Sequence, residues 1–187
     1  MPTLSILART LVGLSLCLVV IGCQSGAAPA AFVRVSEPVA ALDAAIPLPA
    51  NPILTITGRI DASNGDGLEL DVAAIEALGL VKYTVRDPWL EEDLEFTGVL
   101  VTDLLAAAGA ADDATSLTIT ALDDYQVEIS IADTKRWPVM LATQTDGEPM
   151  SIEAKGPTRI VFPADPSIDL LRYKDLWIWQ LKTIEVR

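Results

Sequence analysis

The sequence predicts a single α+β domain over residues 52–187, built on mixed β-sheet. Three observations predict it. Runs rich in β-branched residues recur along the chain, beginning with Ile53-Leu54-Thr55-Ile56-Thr57. Short helical stretches stand among them, and two stop at a glycine, Gly79 and Gly109. Short helices scattered among many strands argue against a doubly wound parallel sheet, where the two alternate regularly. The span suits one hydrophobic core and shows no internal repeat.

The elements follow in order. Residues 53–60 read as a strand, and Asn64-Gly65-Asp66-Gly67 as a turn. Asp71 is placed to cap a short helix ending at Leu78, with Gly79 just past its end. Residues 81–86 read as a strand and 98–108 as a helix closed by Gly109. Residues 117–121, 126–131, 138–145, 158–162 and 177–186 read as further strands.

The chain ahead of this domain has the layout of an export signal. Arg9 precedes an apolar stretch, residues 11–22, that is too short to span a membrane comfortably. The stretch ends in Val20-Ile21-Gly22-Cys23, which reads as a lipobox: small Gly22 admits a peptidase and the Cys23 thiol takes the lipid. Residues 1–22 are thus expected to be a lipoprotein signal peptide, and residues 23–51 the lipidated Cys23 with a flexible tether rich in alanine and proline. Gln24 is not the aspartate associated with inner-membrane retention, which favours a periplasm-facing outer-membrane lipoprotein.

Composition narrows the chemistry. Cleavage removes Cys17 and leaves Cys23 alone, so no intramolecular disulfide is expected. There is no histidine, so the commonest general base and the usual zinc and iron ligand sets are missing. The net charge is −13, and losing Arg9 makes the mature chain more acidic still. Such a surface repels nucleic acid and anionic headgroups, so any anion site must be local.

Four stretches are more idiosyncratic than generic sheet. One is Val85-Arg86-Asp87-Pro88-Trp89, followed by Gly98-Val99-Leu100 and a helix over 101–108. The second is Ala121-Leu122-Asp123-Asp124-Tyr125. The third is Asp146-Gly147-Glu148-Pro149-Met150, running into Lys155-Gly156-Pro157-Thr158-Arg159-Ile160-Val161-Phe162-Pro163. The fourth is Arg172-Tyr173 through Trp177-Ile178-Trp179-Gln180-Leu181. In order and spacing these resemble the molybdopterin-binding domain of the sulfite oxidase family, and most of all its small periplasmic members that carry that domain alone.

The resemblance implies a departure at one position. In the family's enzymes a cysteine thiolate ligates molybdenum, four residues before a tryptophan in the bacterial members aligned here. Counting back from Trp89 reaches Val85, which has no donor atom, and the domain holds no other cysteine. Relatives lacking that cysteine resemble periplasmic proteins that bind a reduced pterin and report it to a membrane-bound regulator, often an enzyme of cyclic-di-GMP turnover. The implied ligand is a pterin, including molybdopterin without protein-ligated molybdenum.

The residues suit such a ligand. A pterin is a flat bicycle whose edge carries an amino group and ring N–H donors. Trp89 and Tyr125 can supply a stacking platform, and Asp124 can accept from the donor edge. Against this, the two aromatics can plug a core margin and Asp124 can be a turn residue. Lys155, Arg159 and Arg172 fall where relatives contact the cofactor, and Arg86 lies near the platform; all four also suit plain surface charge. Gly156 and Pro157 suit a tight turn that lets backbone approach the ligand. Period two in a strand puts Trp177, Trp179 and Leu181 on one face, which reads as core, and turns Gln180 toward a ligand or a neighbouring strand. Glu91, Glu92, Asp93 and Glu95 read as a solvated acidic loop.

Three functions follow. The first is a lipid-anchored sensor or carrier of a pterin, without chemistry of its own, reporting to a membrane signalling partner. The second is a molybdopterin-dependent oxidoreductase or a subunit of one. The third is an interaction lipoprotein whose pocket has decayed.

Overall fold

A computed structural model describes residues 32–38, 51–61 and 67–187. The export signal, Cys23, most of the expected tether and most of the turn at 64–67 lie outside the described residues. Among the described residues no helix is long and apolar enough to cross a membrane.

Two sheets build the domain. One contains β1 (Val33–Arg34), β4 (Val81–Arg86), β5 (Asp93–Leu100), β8 (Met140–Thr145) and β10 (Arg159–Val161) in that order, with β9 (Glu148–Pro149) paired to β8. The other runs β3 (Leu68–Leu70), β2 (Leu54–Gly58), β11 (Leu181–Val186), β6 (Ser116–Ala121) and β7 (Gln126–Ser130). The β2–β11 pair is parallel and its sheet otherwise antiparallel, so the sheet is mixed as the sequence predicts.

Alternation explains these strands. In β4, Val81, Tyr83 and Val85 are buried while Lys82, Thr84 and Arg86 are not; in β6, Leu117, Ile119 and Ala121 turn inward. One hydrophobic cluster joins both sheets, taking Phe96, Val99 and Leu141 from one and Ile56, Ile119 and Ile184 from the other. Helix α1 (Val72–Glu76) starts at Asp71, whose Oδ1 accepts from Ala74 N at 2.8 Å. Helix α2 (Val101–Ala108) buries Val101, Leu104, Leu105 and Ala108 on one stripe, and ends at Gly109 in the left-handed region, φ 66°.

Several expectations are corrected. Residues 98–100 belong to β5, not to the helix that follows. The acidic start of β5 hides its strand character, because Asp93 and Glu95 face solvent at its outer end. Residue 131 opens a helix, α3 (Ile131–Arg136), capped by Ser130. The strand expected at 177–186 begins only at Leu181; α4 (Leu170–Tyr173) and a 3₁₀ turn (Lys174–Leu176) precede it. Gln180 has φ 56°, which breaks the extended chain ahead of β11.

Part of the expected tether is structured. β1 pairs antiparallel with β4, Val33 facing Lys82 and Arg34 facing Val81. Val35 N donates to Leu80 O at 2.7 Å, and Arg34 Nη1 lies 2.7 Å from Asp103 Oδ2. The short strand covers an edge of β4 whose backbone groups would otherwise stand unpaired. Composition alone does not register that demand.

Candidate ligand cleft

Three connections converge to form a cleft of about 300 Å³. The β4–β5 connection contributes Trp89, and the β6–β7 hairpin contributes Asp123 and Tyr125, with Ala121 at its base. The segment leading into β11 contributes Asp175, Trp177, Ile178 and Trp179. Leu122 N donates to Gln180 O at 2.9 Å, which joins the last two. This volume lies at the lower end of the range of about 300–1,000 Å³ usual for small-molecule sites.

Trp89 is held by its own turn. Asp87 Oδ1 accepts from Trp89 N at 2.7 Å and from Leu90 N at 3.0 Å. Trp89 remains 41 % exposed. Its indole meets Trp179 edge to face, and its Nε1 donates to Lys174 O at 3.2 Å. Lys174 Nζ sits 4.3 Å from the Trp89 ring centroid and Lys155 Nζ 4.6 Å from that of Trp179. Trp177 is fully buried in edge-to-face contact with Phe96, and its Nε1 has no hydrogen-bond partner among the described residues.

Tyr125 is exposed at the other side. Its N–H donates to Asp123 Oδ1 at 3.1 Å, and its hydroxyl donates to Asp175 O at 3.4 Å. The cleft is thus lined by three aromatic side chains outside the core, Trp89, Tyr125 and Trp179, and by Asp123 and Asp175. That combination can stack a flat heterocycle and accept hydrogen bonds from its edge.

Behind Trp89 lies a buried ion pair. Arg159 Nη1 is 2.8 Å from Asp87 Oδ2, with both side chains almost wholly shielded from solvent. The contact is that of an ion pair rather than of an aligned hydrogen bond. The guanidinium packs 5.1 Å from the Phe96 centroid and 5.5 Å from that of Trp177. Burial pushes the Asp87 carboxyl up, but the Leu90 and Trp89 N–H donors and the Arg159 charge outweigh it and leave the pKa lowered. Burial also pulls the Lys155 ammonium down, with Arg159 adding to the effect and Asp87 opposing it.

The structure sorts the residues singled out in the sequence. Trp89 and Tyr125 share the cleft, and Lys155 sits beside it over Trp179. Asp124 does not line it: with φ 64° its side chain turns to Lys182 Nζ at 3.2 Å, and Asp123 lines the cleft instead. Arg86 is exposed and 3.8 Å from Asp93, and Arg172 is exposed beside Tyr173. Gln180 donates through Nε2 to Ile152 O at 2.8 Å, so it ties two loops together. Gly156 shapes the turn as expected, since a Cβ there would lie 2.1 Å from Met150 O; Pro157 follows it outside the cleft lining. Arg159 is a core residue rather than a surface charge.

Trp179 reads as core in the sequence, yet it lines the cleft, because a strand period does not hold at 177–180. Asp175 and Lys174 carried no signal in the sequence; the α4 and 3₁₀ turns bring them in.

The residues do not fit a protein-ligated metal. Among the described residues no group of three His, Cys, Asp or Glu side chains is disposed to hold one. Val85 is buried in the core opposite Leu94, and its side chain carries no donor. The aromatic and carboxylate lining does fit the flat pterin part of a molybdenum cofactor.

The model of the family described as "Oxidoreductase molybdopterin binding domain" matches residues 78–172. That span includes Trp89, Asp123, Tyr125, Lys155 and Arg159 and stops short of the cleft wall at 175–179. Among solved structures, the sulfane dehydrogenase SoxCD from Paracoccus pantotrophus is similar at 17 % identity with a TM-score of 0.56. The likeness covers 71 % of this chain and 37 % of that one, and at this identity it is a likeness of fold. No curated protein matches.

Proposed function

This chain belongs to the oxidoreductase molybdopterin-binding domain family, and from that premise we propose that it binds a pterin without catalysis, as a sensor or carrier. The observation that carries the reading is the cleft between Trp89, Trp179 and Tyr125, edged by Asp123, in a domain with no thiolate to grip a metal. The aromatics would stack the bicycle, and Asp123 would accept from its amino edge.

The proposed setting is the periplasmic face of a membrane, the outer one where there are two, with Cys23 carrying the lipid and a membrane signalling protein as partner. The lipobox-like Val20-Ile21-Gly22-Cys23 supports it. Because β1 belongs to the domain, the spacer from Cys23 to Phe32 is short. Fully extended it reaches about 30 Å, so the domain would be held close to the headgroups.

Mass spectrometry of the ligand released from protein purified from its own cell envelope tests this. A reduced pterin is expected. Molybdenum near one atom per chain, together with sulfite or sulfoxide turnover, would replace the reading with the oxidoreductase one. No released ligand, and no quenching of tryptophan fluorescence by added pterins, would leave an interaction lipoprotein.

A further inference from the structure

We propose that Asp87 is the positioning residue of the cleft: its buried carboxylate, clamped on Arg159, sets where the Trp89 indole stands relative to Trp179. The proposal rests on the reading of the cleft as a pterin site and deepens it.

Asp87 ties its own connection together and reaches outward from it. Its N–H donates to Glu92 O at 2.8 Å and its carbonyl accepts from Glu91 N at 2.8 Å, closing the connection on itself. Oδ1 accepts from the N–H groups of Trp89 and Leu90. Oδ2 faces Arg159. One side chain therefore holds the Trp89 backbone with one oxygen and β10 with the other.

Arg159 leads on to the opposite wall. Its backbone forms a β-bridge with Trp179. On either side of it, Gln180 N donates to Thr158 O at 2.8 Å and Ile160 N donates to Ile178 O at 2.8 Å. The Trp179 segment is thus laced to the strand that carries the guanidinium. The guanidinium lies against Phe96 and Trp177, and Asp87 is its one counter-charge within 4.0 Å among the described residues. Two walls that are distant in sequence are thus linked through this ion pair, behind the direct contacts of Trp89 with Trp179 and Lys174.

A turn alone does not call for this arrangement. Asparagine or serine closes the same side-chain-to-backbone turn without burying a charge. A buried carboxylate on a buried guanidinium costs desolvation that a turn never repays, whereas a charge pair holds two elements in one register.

Asp87→Asn tests it, since asparagine keeps the Oδ1 acceptor and the shape but loses the charge. The readouts are the ¹H–¹⁵N signals of the indole N–H groups in the unliganded protein and the affinity for tetrahydrobiopterin. The indole signals of Trp89 and Trp179 are expected to shift together, and affinity to fall at least tenfold, about 1.4 kcal/mol. If Asp87→Asn does not fold, Asp87→Asn with Arg159→Met removes both charges and leaves no buried cation unpaired. That double variant is expected to fold, with the same indole shift and the same weak binding.

Wild-type indole signals in whichever variant folds would overturn the proposal, because a merely stabilising pair would change the melting temperature and leave the rings in place. Wild-type protein that does not bind tetrahydrobiopterin would overturn the pterin reading instead. The unliganded spectra would still decide the role of Asp87.

Discussion

The indoles of Trp89 and Trp179 meet edge to face, with ring centroids 5.8 Å apart and planes at 89°. One comes from the β4–β5 connection and the other from the segment before β11. Trp89 stays 41 % exposed beside that neighbour, and both indoles line the cleft.

Replacing that indole gives the first expectation. Trp89→Ala should weaken binding of a reduced pterin at least tenfold, roughly 1.4 kcal/mol, in a fluorescence or calorimetric titration. The domain should stay folded by circular dichroism, because Trp89 is 41 % exposed and contributes little to the core. Unchanged affinity would take Trp89 out of the site.

The two neighbouring aspartates separate cleanly. Asp123→Asn should reduce affinity about tenfold by removing a charged acceptor from the cleft. Asp124→Asn should leave it within about twofold, since Asp124 turns to Lys182 and such exposed pairs contribute about 0–1 kcal/mol. Equal effects in the same titration would mean that Asp123 has no special place.

Stability should depend on pH through Asp87. Its pKa is lowered in the folded protein, so in acid the unfolded chain binds its proton first. The contribution is therefore whole above the unfolded value of about 3.9 and is lost as pH falls through the folded value. Melting temperatures taken from neutral pH down to pH 3 should fall less steeply below pH 4 in Asp87→Asn than in wild type. Identical slopes would show that the pair does not tie its charge to folding.

Gly98 should tolerate no side chain. A Cβ there would lie 2.2 Å from Leu141 O and 2.5 Å from Ala142 Cα, at the register shift between β5 and β8. Both neighbours are backbone in the middle of a sheet. Gly98→Ala should cost about 3 kcal/mol or more, or prevent folding, as chemical denaturation would show. A loss below about 1 kcal/mol would mean that the two strands can part there at little cost.

The regular parts of the fold were legible. Period-two burial in β2, β4 and β6, the Asp71 cap and the stop at Gly109 are local matters of side-chain direction and backbone conformation, although α1 ends at Glu76 with Ala77 as its cap, short of the expected Leu78 and Gly79. Elements whose reason is a distant partner were not. β1 exists because the β4 edge needs hydrogen bonds, and β5 begins with charges because its outer end is in water.

The residue sequence settled which side chains the domain lacks: it has no histidine and no cysteine, and position 85 is a valine. It also placed Trp89 and Tyr125 in the loops that form the cleft. Which side chains meet there was settled by the folded chain, through Asp123 in place of Asp124, Trp179 turned outward and Arg159 drawn into the core. A repeating pattern states which way a side chain points only while the backbone repeats. At Asp124 and Gln180 the backbone enters the left-handed region, φ 64° and 56°, and contacts distant in sequence, with Lys182 and Ile152, take over the aim of these side chains.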